Sequence, residues 1–135
     1  MSLNLRVLAP DQSVFEGDVD EVILPSATGQ LGVLTGHVSL LTALDSGVLR
    51  LRKGSDWLSI ALMGGFAEVE ANEVTVLVNG AEMGSGIDRA QAQQEFEAAE
   101  QAARAFDGQA ASPDKLKAQD ALAQARARLS ASRGS

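Results

Sequence analysis

The residues best placed to do chemistry lie between positions 24 and 37. Thr28-Gly29-Gln30-Leu31-Gly32-Val33-Leu34-Thr35-Gly36-His37 is rich in glycine and ends on the only histidine of the chain. A glycine-rich loop can cradle a phosphate, but that chemistry needs a Gly-Lys-Ser/Thr ending, and no lysine lies nearby. The spacing also misses the dinucleotide fingerprint, which requires a strand leading directly into a helix. Glycines serving tight turns between short strands account for the segment. His37 could act as a general base, yet no serine or carboxylate companion is legible around it. The acid pairs Glu68/Glu70 and Asp18/Asp20 fall at strand period, so each pair shares one face of a sheet. A solvated sheet face explains them better than glycosidase chemistry, whose carboxylates must flank a sugar. There is no cysteine, which excludes thiol nucleophiles, disulfides and thiolate metal sites. No residues suggest a metal or cofactor, and the chain reads as noncatalytic.

What must position these residues is a chain of 135 amino acids, enough for one modest core. Its net charge of −7 argues against a general nucleic-acid surface. No apolar run reaches the roughly 20 residues that span a bilayer. The start, MSLNLRVLAP, has neither the charged beginning nor the apolar stretch of a signal peptide. A soluble protein on the cytosolic side is expected.

Two halves follow different periods. In residues 1–86, Leu3, Leu5 and Val7, then Leu49 and Leu51, then Leu58, Ile60 and Leu62, then Val74, Val76 and Val78 alternate with their neighbours. Turn formers such as Pro10-Asp11, Asp45-Ser46-Gly47, Gly64-Gly65 and Asn79-Gly80 separate the runs. This predicts an antiparallel β-sandwich. Gly64-Gly65 marks a bend or close backbone approach, with Phe66 expected in the core and Trp57 expected to pack. In residues 87–135, Asp88 and Gln91 form a helix start, and Ala92, Phe96, Ala99, Ala103 and Phe106 make a narrow helical seam. Asp107-Gly108 stops that helix, Ser112-Pro113 starts another, and Ala118, Leu122, Ala125 and Leu129 form its seam. The fold class is therefore β plus α, a sandwich followed by an antiparallel two-helix hairpin. Small alanine side chains bury little area, so the hairpin is expected to be weakly held and able to come apart. Composition predicts fraying over residues 130–135.

Charge divides at the same boundary. Residues 1–86 hold eleven acids against four bases, Arg6, Arg50, Arg52 and Lys53. The first helix is net acidic. The second, with Lys115, Lys117, Arg126, Arg128 and Arg133, is net basic and suits an acidic partner.

The stretch Leu24-Pro25-Ser26-Ala27-Thr28-Gly29-Gln30-Leu31-Gly32-Val33-Leu34-Thr35-Gly36-His37, continued by Leu40-Leu41-Thr42-Ala43-Leu44 and Gly64-Gly65-Phe66-Ala67-Glu68-Val69, resembles the F-type ATP synthase epsilon subunit. The order of sandwich then hairpin matches too, and the hairpin opening Ile87-Asp88-Arg89-Ala90-Gln91-Ala92-Gln93-Gln94 resembles the cyanobacterial and chloroplast branch. The resemblance implies a noncatalytic rotor subunit without a cofactor, coupling proton flow to ATP synthesis. Its sandwich would bind the gamma subunit and the c-ring, and its hairpin would extend toward the catalytic α/β subunits to inhibit hydrolysis. Thr28, Gly29, Gln30 and Leu31 would face the c-ring loops, with His37 near the gamma/c junction. Arg126 and Arg128 would meet an acidic segment of a β subunit. The implied location is peripheral, on the cytoplasmic face of the thylakoid membrane, or its stromal face in a plastid. Some relatives bind ATP through an Ile/Leu-Asp-x-x-Arg-Ala motif. Ile87, Asp88 and Ala92 match it, but Gln91 replaces the arginine, so a phosphate would lose its bidentate partner. The competing functions are a stand-alone nucleotide-sensing module and a small sandwich enzyme.

Overall fold

The computed structural model describes residues 2–133. Ten strands come first: β1 (Leu3–Ala9), β2 (Gln12–Val19), β3 (Glu21–Ser26), β4 (Gly29–Leu34), β5 (Leu40–Leu44), β6 (Gly47–Lys53), β7 (Asp56–Leu62), β8 (Gly65–Glu70), β9 (Glu73–Val78) and β10 (Ala81–Met83). A 3-10 turn, Gly84–Gly86, leads to α1 (Arg89–Arg104) and α2 (Pro113–Arg133).

The strands run in the order β10-β7-β6-β3-β5-β8-β9-β1-β2, with β4 paired to β3. β3 is where one layer passes into the other. Glu21–Ile23 pair with β6, whereas Ser26 pairs with Leu44 of β5. The period-two residues point into the space between the layers. Leu3, Leu5, Val7, Leu49, Leu51, Ile60, Leu62, Val74 and Val76 are all buried there.

The pairing is antiparallel with one exception. β1 and β9 are parallel, from Asn4 opposite Glu73 to Leu8 opposite Leu77. Alternation reports which face a residue occupies but not strand direction. With sixty-nine residues between the partners, no turn residue could have signalled it. Phe66 is also not in the core: it is 58% exposed on the outer side of β8. Ala67 and Val69 take the inward positions, so the alternation forces Phe66 outward. The glycine before it does mark a close approach. A Cβ on Gly65 would lie 2.1 Å from the Leu77 carbonyl oxygen.

Both helices begin as their sequences dictate. The Asp88 carboxylate accepts the Gln91 N–H at 3.1 Å, and Ser112 Oγ accepts the Lys115 N–H at 3.1 Å. The seam forms, with Ala92, Ala125 and Leu129 buried and Phe96, Ala99 and Leu122 half-buried. What the seam did not reveal is a second buried face on α2. Ala127 and Ala131, four residues apart, join Ala61, Ile87, Ala92 and Leu129 in a small cluster that seats the hairpin against the sandwich. The expected fraying does not begin at Ser130. α2 continues to Arg133 because Ala131, 1% exposed, is packed beneath it. Gly134 and Ser135 lie outside the described residues.

Candidate functional site

The motif between Leu24 and His37 folds as β3, a tight turn, β4 and a second turn. Gly29 closes the first turn with φ +125, and Ser26 Oγ ties it down, 3.2 Å from Thr28 Oγ1 and 3.0 Å from Thr42 Oγ1. Thr28, Gly29 and Gln30 are exposed, whereas Leu31 is half-buried and packs on the core. Gly36, with φ +87, makes the second turn, its N–H donating to Asn72 Oδ1 at 2.7 Å. His37 is half-buried there, with Nδ1 2.7 Å from the Val38 carbonyl oxygen. Its recorded side-chain contact is that backbone oxygen, and it has no carboxylate or hydroxyl partner among the described residues. The turn at Thr28–Gly29 and His37 therefore sit at opposite ends of β4, a six-residue strand about 17 Å long. They are two places on one edge, not one pocket.

A surface that the sequence reading missed crosses the outer layer. Phe66 pairs with Leu77, which pairs with Leu8, and on the other side Phe66 pairs with Ala43. Phe66 and Leu77 are more than half exposed, as are Leu41 and Val38 at the neighbouring edge. Leu8, Pro10, Phe66 and Leu77 line a cleft of about 330 Å³. A contiguous apolar row on a sheet face marks an interaction surface. The signal was present in the alternation that leaves Leu77 outside between Val76 and Val78.

On the hairpin, the two candidate arginines have different surroundings. Arg128 joins three elements. Its Nε donates to Glu82 Oε1 at 2.9 Å, Nη2 to Glu82 Oε2 at 3.3 Å, and Nη1 to Glu95. Glu82 belongs to β10 and Glu95 to α1, so one side chain of α2 clasps both sandwich and partner helix. The hydrogen bond that Glu82 accepts raises the Arg128 pKa above its ordinary value, assisted by the charges of both glutamates. Arg126 is exposed, with its guanidinium carbon 5.9 Å from the Phe96 ring centre. Arg50, Arg126 and Arg133 line a cleft of about 480 Å³ between hairpin and sandwich, and none pairs with a carboxylate among the described residues. Gln30 and Arg126 both line an adjoining cleft of about 280 Å³. No group of acids, histidine or cysteine able to hold a metal occurs among the described residues.

Residues 2–84, the whole sandwich, match the family described as ATP synthase, Delta/Epsilon chain, beta-sandwich domain. The chain is 66% identical over 133 residues to the ATP synthase epsilon chain of Synechococcus sp. (strain RCC307), a match covering 98% of both chains. This chain belongs to the ATP synthase epsilon family. Epsilon chains of Parasynechococcus marenigrum and Prochlorococcus marinus (strain MIT 9303) are 64% and 59% identical over the same length, so the cyanobacterial resemblance holds. The helical hairpin lies within these matches. The epsilon fold extends to distant structures. A chain in the mitochondrial ATP synthase of Euglena gracilis, solved as OSCP/F1/c-ring, superposes with a TM-score of 0.80 at 21% identity, covering 98% of this chain and 81% of that one. A chain of the central stalk and c-ring of the Tetrahymena thermophila enzyme gives 0.63 at 15% identity, covering 97% and 96%. No helix among the described residues is long and apolar enough to cross a membrane.

Proposed function

We propose that this chain is the noncatalytic epsilon subunit in the central stalk of a proton-translocating F-type ATP synthase. Residues 1–86 form the anchoring domain and residues 87–135 the regulatory one. The observation that carries the proposal is the unequal division of the cores. Among the described residues, the sandwich core is drawn entirely from residues 3–83, whereas the hairpin is tied to the sandwich by a small, alanine-rich cluster and one clasping arginine. A self-sufficient anchor and a lightly held arm suit a subunit that turns with the stalk and can change its reach.

In this proposal the apolar row of Phe66, Leu77 and Leu8 packs on the gamma subunit. The turn at Thr28, Gly29, Gln30 and Leu31 meets the c-ring loops, and His37 lies toward the gamma/c junction. When the hairpin extends, Arg126 and Arg128 meet an acidic segment of a catalytic β subunit and hydrolysis stops. The complex places the chain peripherally on the cytoplasmic face of the thylakoid membrane. The distant relatives solved in F1/c-ring and central-stalk/c-ring assemblies support the position in the stalk.

The test is ATP hydrolysis by an epsilon-depleted catalytic complex, titrated with the full chain and with a version ending at Gly86. Both are expected to bind, and only the full chain to inhibit. Failure of both to bind would overturn the proposal.

The three guanidiniums around the 480 Å³ cleft favour a second function, nucleotide sensing by the docked hairpin. Gln91, exposed at the start of α1 in place of the motif arginine, weighs against it. Calorimetric titration of the chain with ATP is expected to show no saturable heat. A stoichiometric isotherm would restore the sensor.

A further inference from the structure

The underside of the docked hairpin holds one polar group that the fold leaves without a partner. Along β7, Leu58, Ile60 and Leu62 face the sandwich core, so Ser59 and Ala61 face outward, where α2 covers them. Ser59 is 4% exposed, and its Oγ is buried with no hydrogen-bond partner. Ala61, Ala127 and Ala131 supply methyl groups, and the Ser132 hydroxyl, which lines the same cleft, already donates to the Leu129 carbonyl at 2.6 Å. The backbones of α2, β7 and the 3-10 turn approach closely beside it. A Cβ at Gly84 would lie 2.2 Å from the Ala131 carbonyl oxygen and 3.0 Å from that of Ser59.

A buried hydroxyl without a partner opposes whatever buries it, because it gives up its hydrogen bonds to water and gains nothing in return. Here α2 covers it together with the 3-10 turn at Gly84, since Ser59 lies on the outer side of its strand. We infer that the Ser59 hydroxyl is a built-in counterweight against the docked hairpin, biasing it toward release. It works against the clasp of Arg128 on Glu82 and Glu95, which holds the hairpin down. The inference rests on the proposal that the hairpin leaves the sandwich as a unit. The released state returns the hydroxyl to water, and the docked state strips it.

The experiment is native-state hydrogen exchange on the full chain and on Ser59→Ala, with Ser55→Ala in an exposed turn as the control. Alanine keeps the packing and removes the stranded group. Amides of α2 in Ser59→Ala are expected to exchange about tenfold more slowly than in the natural chain, the scale of one unsatisfied buried hydroxyl. Amides of β9 and those of the control should not change. Unaltered or faster exchange in α2 of Ser59→Ala would overturn the counterweight while leaving a releasable hairpin intact. Equal opening of α2 and β9 in the natural chain would show instead that the hairpin opens only when the whole fold does. That result removes both the release and its counterweight.

Discussion

Gly84→Ala is expected to lift the hairpin from a sandwich that stays folded. The backbone of Gly84 has no positive φ that would favour glycine, so the cost is one of space. The added methyl would meet backbone on both sides, the Ala131 carbonyl oxygen of α2 and the Ser59 carbonyl oxygen of β7. Neither can swing aside as a flexible side chain would. β7 is held by β6 along seven residue pairs, from Gly47–Leu62 to Lys53–Asp56, so the helix is the part that yields. Overpacking of this kind costs about 1–3 kcal/mol. The interface it strains is built largely from alanines, and a cost of that size lowers the docking equilibrium constant by roughly one to two orders of magnitude. The chain has no cysteine, so two can be placed at exposed Asp11 and Asp120 for spin-label distances. A narrow distribution in the parent should become broad in Gly84→Ala. An unchanged distribution would mean that the strand gave way instead. In the complex, an arm freed this way should inhibit hydrolysis more strongly.

Arg128→Glu is expected to free the arm too, but with the opposite effect on inhibition. The substitution removes both hydrogen-bonded ion pairs and sets a third carboxylate beside Glu82 and Glu95. These groups are partly exposed, so each pair contributes only about 0.2–1 kcal/mol, and repulsion adds a similar amount. Salt separates the cause from a general loss of packing. With a Debye length of about 10 Å at 0.1 M, added salt weakens the natural clasp but relieves the repulsion in the variant. Docking should therefore fall with salt in the parent and rise with salt in Arg128→Glu, as read by the same spin labels. A shared sign would sink the electrostatic account. pH gives no comparable handle on the arginine. Its folded pKa is raised, so its contribution is fully present below the ordinary arginine value and is lost only above it, far beyond neutral pH. The freed arm of this variant lacks a cation proposed to meet the β subunit, so hydrolysis should be inhibited less than by the parent. Gly84→Ala and Arg128→Glu thus share a released hairpin and differ in its effect.

Much of the fold could be read from two periods. Leu3-Leu5-Val7 and Val74-Val76-Val78 declared their inner faces, and Ala92-Phe96-Ala99 declared one face of a helix. The parts that stayed hidden involve partners distant in sequence. Glu82 and Glu95 lie 46 and 33 residues from Arg128, and nothing local marks that meeting. Ala127 and Ala131 were passed over because alanine suits an exposed helix surface as well as a buried one, and only the close approach of Gly84 shows which applies. The glycine-rich motif was legible as a motif, but β4 draws its two ends apart. Phe66 reads as core by its side-chain type but lies outside by its position in the alternation.

The parallel pairing of β1 with β9 also bears on how the chain is made. β1 emerges from the ribosome before β9, and its neighbour at Glu73 follows sixty-nine residues behind Asn4. At about 5–20 residues per second, that is a wait of roughly 3 to 14 s. Over that interval β1 has only β2 beside it, and Leu3, Leu5 and Val7 have no opposing layer to cover them. The nascent β1–β2 pair is thus a sticky ribbon for seconds, and the alanine-rich helices, synthesised after every strand, reach a sandwich that has already closed.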